Sequence, residues 1–169
     1  MRWNDIGNET CSVSRALSVV GDRWSLLIIR SAFLKARRFS DFQSDIGLTK
    51  HRLSDRLNKL VEEGVFEKVL YQEKPLRYEY LLTEKGLDLY PIMLSLVQWG
   101  DRWMAGDAGA PIEYEHKSCG QRIKPAYFCP DCKEPIRPQD MRPVAGPALK
   151  DLDLDELRPG VRALAKSKK

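Results

Sequence analysis

No stretch of the chain approaches the ~20 consecutive apolar residues that a membrane-crossing helix requires. The opening residues, MRWNDIGNET, lack the apolar core of a secretory signal, so a cytoplasmic protein is expected. In that compartment the four cysteines stay reduced. The chain has no Gly-rich phosphate loop, no nucleophile motif and no carboxylate pair set for acid–base chemistry. Histidine is scarce as well: His51 falls on a basic helix and His116 in a Cys/His motif. These absences argue against an enzyme. Internal repeats are missing too. What is present is 43% hydrophobic and 31% charged over 169 residues, which suits one domain with a real core plus an appendage. A net charge of +4 permits a nucleic-acid partner without requiring one.

The chain is organised around Leu48 to Gly64, LTKHRLSDRLNKLVEEG. Thr49 suits an N-cap, and Leu53, Leu57, Leu60 and Val61 recur at the spacing of one buried helical stripe. His51, Arg52, Asp55 and Lys59 fall roughly opposite that stripe, with Arg56 on its flank. Gly64 suits a left-handed C-cap. Such a helix fits a DNA major groove, although an ordinary surface helix with solvated charges shows the same pattern.

The neighbours of this helix favour the DNA reading. Cys11 to Phe33 reads as two helices broken near Gly21. Ser40 is placed to cap a short helix through Phe42 and Ile46, and Gly47–Leu48 turns into the basic helix. Helix, short turn and basic helix is the helix-turn-helix pattern. Then the period changes. VFEKVLY and RYEYLL read as two strands around the polar turn QEKPL, a wing whose tip carries Lys74 and Arg77. Thr83 begins a further helix through Met104, apolar around much of its circumference. That helix is either buried centrally or packed on a second subunit, and a homodimer is the expectation.

Beyond GDAGAP, His116-x-x-Cys119-Gly is followed by Cys129-Pro-Asp-Cys132. One imidazole and three thiols suit tetrahedral structural zinc. Tyr114, Ile123, Tyr127 and Phe128 are too few for a separate core, so a metal would take its place. A metal-free hairpin or a local disulfide fits the same residues. The expected fold class is mainly α with a small β wing (α+β). Its parts are an N-terminal arm (1–10), a winged helix-turn-helix domain with dimerisation helix (11–104), a zinc-ribbon-like extension (105–140) and a mostly flexible tail (141–169). In the tail, Leu152, Leu154 and Leu157 suit a short amphipathic segment, and the terminal KSKK suits non-specific attraction to DNA.

Cys11, ALSVVGDRWSLLIIR at 16–30, RRFSDF at 37–42, LTKHRLSDRLNKLVEEGV at 48–65, KPLRYEYLLTEKG at 74–86 and the helix ending in QWG occur in order. This set resembles the HxlR family of winged-helix transcriptional regulators, relatives of the MarR group. The resemblance implies a homodimer on palindromic double-stranded operator DNA, repressing or activating nearby genes. By position it implies Thr49, Lys50, His51, Arg52, Arg56 and Lys59 as recognition-helix residues, with Arg38 and Arg77 on backbone and wing. Arg52 and Lys59 have the clearest outward geometry, and Arg56 has Asp41 or Asp55 as alternative partners. Such regulators characteristically carry a cysteine at Cys11, usually followed by proline, and some sense oxidants with it. Here Ser12 stands in the proline's place. Arg15 or a helix N-terminus would favour the Cys11 thiolate, and simple packing of a small hydrophobe is the alternative. The regulator is thus expected to respond to an oxidant or a small molecule. A winged-helix adaptor that binds proteins and not DNA is the alternative function.

Overall fold

The computed structural model describes residues 3–147. The proposed Leu152–Leu157 segment and the KSKK end lie outside the described residues. The chain divides into two compact units after Ile123. The division falls inside the expected extension, because Tyr114 lines a cavity with residues of the preceding helices.

The first unit opens with a short 3-10 helix, Trp3–Asn8, and α1, Ser12–Val20. The arm is not loose: Ile6 is buried, and a Cβ on Gly7 would meet the Ser18 hydroxyl at 3.1 Å. Helix α2, Arg23–Phe33, starts where Asp22 accepts the Trp24 N–H at 2.9 Å. Helix α3, Phe39–Ile46, is capped differently from expectation. The carboxylate of Asp41, not the Ser40 hydroxyl, accepts the Arg37 and Arg38 N–H groups at 3.2 and 2.9 Å. Those bonds favour the ionised form and hold the Asp41 carboxyl below its ordinary pKa.

Gly47, at φ 72°, takes the left-handed conformation that turns α3 into α4, Lys50–Glu62. Leu53, Leu57 and Leu60 are fully buried, as the stripe predicted. Each such burial is worth about 1.5–3 kcal/mol against exposure. They pack in one cluster with Ile28, Ile29, Phe42, Val65 and Phe66. Phe42 stands edge-on to Phe66 and Tyr80, with ring centroids 6.1 and 6.4 Å away.

Strands β1, Phe66–Glu73, and β2, Leu76–Leu82, form the antiparallel wing, with the register shifting between Leu70 and Gln72. The last long helix is two helices: α5, Glu84–Leu87, and α6, Tyr90–Met104. Pro91 has no N–H to give to the Leu87 carbonyl, so the first turn cannot run on unbroken. A hairpin of β3, Tyr114–His116, and β4, Gln121–Ile123, ends the unit.

In the second unit, Phe128 and Pro135 pair as an isolated bridge, and a 3-10 turn covers Pro138–Asp140. Among the described residues no helix is long and apolar enough to cross a membrane.

Candidate nucleic-acid interface

Helix α4 turns its leucines inward, and this fixes what its polar residues can reach. Lys50 and Arg52 are exposed and make no ion pair among the described residues. Thr49 is the N-cap by backbone conformation, but its hydroxyl makes no capping hydrogen bond and is exposed. His51 faces Asp55 one turn on, Nδ1 to Oδ2 3.0 Å.

Two of the expected contacts are engaged within the fold. Arg56 pairs with neither Asp41 nor Asp55; its Nε lies 2.6 Å from Asp22 Oδ2, at the start of α2. Lys59 is half-buried, not outward, and its Nζ donates to the Ser18 carbonyl at 3.0 Å. That carbonyl lies near the C-terminus of α1, where a cation is favoured. Both residues tie α4 to the helices before it. Lys59 reaches a duplex only by giving up that bond, whereas Arg56 is tied through Nε alone.

On the wing, Lys74 and Arg77 are exposed at the turn. Arg38 is held by the wing itself: Nε donates to Glu79 Oε1 at 3.0 Å, and the guanidinium lies 4.4 Å over the Tyr71 ring. The hydrogen bond to Glu79, with Tyr71 adding to it, raises the Arg38 pKa further. One edge of that guanidinium remains for a phosphate. Sequence reasoning did not identify Asp22, Glu79 or Tyr71 as partners, because each pairing spans 33 residues or more (Asp22 to Arg56 is 34, Arg38 to Tyr71 is 33, Arg38 to Glu79 is 41) and no local pattern announces it.

Helix α6 has two apolar faces. Tyr90, Met93, Leu94 and Val97 line a cavity with α2. Ile92, Leu96, Trp99 and Trp103, spaced four, three and four apart, are exposed, Trp99 at 56% and Trp103 at 65%.

The Cys/His residues form two knuckles, one in each unit. In the first, the Cys119 and Gly120 N–H groups both donate to the His116 carbonyl, at 3.1 and 2.8 Å. Gly120 turns left-handed at φ 66°, and His116 Nδ1 lies 3.4 Å from Cys119 Sγ. In the second, the Lys133 N–H donates to the Cys129 carbonyl at 3.0 Å, and Lys133 takes φ 61°. The backbone N–H groups of Cys132 and Asp131 hold the Cys129 thiol below its ordinary pKa. No disulfide joins Cys119, Cys129 or Cys132. Among the described residues, no three His, Cys, Asp or Glu side chains gather into a group that could hold a metal ion. Cys11 is exposed at the N-cap of α1.

Residues 19–108 match the HxlR-like helix-turn-helix family. An uncharacterised HTH-type transcriptional regulator of Mycobacterium tuberculosis, Rv3095, is 43% identical over 139 residues, covering 82% of this chain and 88% of the relative. YvaP of Bacillus subtilis, with the same description, is 34% identical and covers 57% of this chain and 92% of its own. Among solved structures, PA1607, a candidate transcription factor, superposes with a TM-score of 0.75 at 34% identity, over 83% of this chain and 98% of that one. The oxidised form of the redox regulator HypR superposes with a TM-score of 0.51 at 30% identity, over 54% of this chain and 96% of that one.

Proposed function

The chain belongs to the HxlR-like helix-turn-helix family of transcriptional regulators, and from that premise we propose that two copies bind a palindromic operator in double-stranded DNA. Helix α4 enters the major groove and reads base edges through Lys50 and Arg52, while Thr49 and His51 border the contact. Lys74 and Arg77 of the wing and the remaining edge of Arg38 meet phosphates. The observation that carries this reading is the division of labour on α4. Arg56 and Lys59 are tied to Asp22 and Ser18, and Lys50 and Arg52 are left outward and, among the described residues, without an ion pair.

Fluorescence anisotropy on fragments selected from genomic DNA tests it. Binding should weaken steeply with salt, with a log–log slope of about −0.9 per neutralised phosphate. Arg52→Ala should cost ~1–3 kcal/mol on the selected sequence, whereas Arg77→Ala should weaken all sequences alike. A salt-independent isotherm would favour the adaptor function instead.

A second reading concerns the Cys/His extension: His116, Cys119, Cys129 and Cys132 are donors to structural zinc by residue type and spacing, although no three of them gather among the described residues. The donor set of one imidazole and three thiols supports it, as does the left-handed residue that follows the last donor of each knuckle. Zinc would supply cross-linking that the few apolar residues there do not, and four protein ligands leave no position for catalysis. Elemental analysis of protein purified without added metal should find about one zinc per chain. Less than half an equivalent counts against the site.

A narrower reading assigns oxidant sensing to Cys11. Its exposure at a helix N-cap supports this, as does the likeness to HypR, a redox regulator. Mild peroxide should then yield a disulfide-linked dimer on non-reducing electrophoresis that Cys11→Ser does not form. Identical patterns from both proteins defeat the sensing role of Cys11.

A further inference from the structure

Arginine–carboxylate pairs in the first unit are built in two ways. Arg30 gives an amino group, Nη2, to Asp45, and Arg122 gives Nη1 to Glu113. Arg38 and Arg56 are paired at Nε instead, 3.0 Å from Glu79 Oε1 and 2.6 Å from Asp22 Oδ2. Among the described residues, the Nη groups of both are without a hydrogen bond or ion pair. The two carboxylate side chains are largely covered, Glu79 at 23% exposure and Asp22 at 21%. The guanidinium side chains in front of them are more open, Arg38 at 52% and Arg56 at 38%.

An arginine held at Nε has its planar fork fixed at the root. The two amino groups at its end keep the geometry that matches a phosphate bidentately. An unheld arginine gives up rotamer freedom to make the same contact. Tyr71 fixes Arg38 further, lying 4.4 Å from the guanidinium. Arg56 follows the exposed Arg52 by one turn of α4 and shares its side of the helix.

We propose that Asp22 and Glu79 are positioning residues for DNA, each holding its arginine by Nε so that the amino groups of Arg56 and Arg38 clamp a backbone phosphate. By charge alone, two carboxylates on a surface that meets a polyanion weaken binding. Here they strengthen it, because each stands behind a cation whose direction it sets. This role rests on the DNA binding proposed above, and it gives a function to two acidic residues and to the outer edge of Arg56.

Anisotropy titrations of the full chain, on a fragment selected from genomic DNA and on a duplex of unrelated sequence, test it. Asp22→Asn keeps the cap of α2, since asparagine caps as well as aspartate, and Glu79→Gln keeps the size of the side chain. Charge alone predicts tighter binding by either variant. Positioning predicts the reverse, a loss of about three- to ten-fold in affinity. The loss should be equal on both duplexes, because a phosphate contact carries no sequence information. The salt slope should not fall in these two variants, and in Arg56→Ala it should flatten by about 0.9 per half-site. A merely structural tie between α2 and α4 would reduce the preference for the selected fragment and leave the slope of Arg56→Ala unchanged. Glu79→Gln decides the matter if Asp22→Asn does not fold. Unchanged or tighter binding by the folded variants overturns the positioning role alone. A parent protein that binds neither duplex overturns the DNA binding with it.

Discussion

Trp99→Glu combined with Trp103→Glu should leave a folded monomer whose affinity for a two-half-site operator is at least 100-fold below that of the parent. The expectation starts from α6. Its inner face packs on α2, and its outer face presents Ile92, Leu96, Trp99 and Trp103 at a four-three-four spacing that keeps one stripe in line. Each tryptophan can bury ~150–250 Å² on a partner. Two carboxylates placed in such an interface would have to lose their hydration without a counter-charge, which costs several kcal/mol per ion. Because the stripe is exposed in the single subunit, the same changes should hardly move its melting temperature. The DNA effect follows from valence: a second half-site bound through a linked partner raises affinity by ~10²–10⁴ with no new contact. Sedimentation velocity and anisotropy on the same samples check both halves. A parent protein that sediments as a monomer defeats the dimer. A monomeric variant with unchanged affinity defeats the two-half-site operator.

What the sequence made legible was periodic or local. The leucine stripe of α4, the alternation of the wing and the glycine turns at Gly47 and Gly64 each carry their own physical signature within a few residues. The helix-turn-helix order followed from these. What was not legible was how the cations of α4 are shared out. Lys59 and Arg52 look alike on a helical projection, yet Lys59 is taken by the C-terminal end of α1. That depends on the angle at which two helices cross, which no spacing encodes. The cap of α3 shows a smaller version of the same limit. Ser40 and Asp41 are both good cappers, and the carboxylate won because α3 begins two residues earlier than the serine requires, which puts Asp41 at the third helical position facing the free N–H groups. The cavity beside Arg30 was invisible for the same reason as Lys59, since its walls come from α2, α6 and β3.

Gly86→Ala should lower the melting temperature of the chain by roughly 4–16 °C, about 2–4 kcal/mol, more than an alanine in a helix ordinarily does. Gly86 has no unusual backbone angle; its constraint is space. A Cβ there would sit 2.3 Å from the Val65 carbonyl oxygen and 2.9 Å from Leu82 Cδ2. The leucine methyl can rotate away. The carbonyl cannot do so freely, because it accepts the Thr83 N–H at 3.1 Å. Thr83 is also the N-cap of α5, its hydroxyl accepting the Gly86 N–H at 3.2 Å and donating to the Gly64 carbonyl at 2.6 Å. One methyl group therefore pushes on the junction where α4 ends, the wing closes and the path to α6 begins. Separating α5 from the wing would expose these backbone groups and leave some of them unpaired, at ~1–3 kcal/mol each. Adding Leu82→Ala to Gly86→Ala distinguishes the sources of the clash. If the carbonyl is the obstacle, the double variant melts no higher than the single one. Recovery in the double variant would mean that the leucine, not the backbone, was in the way.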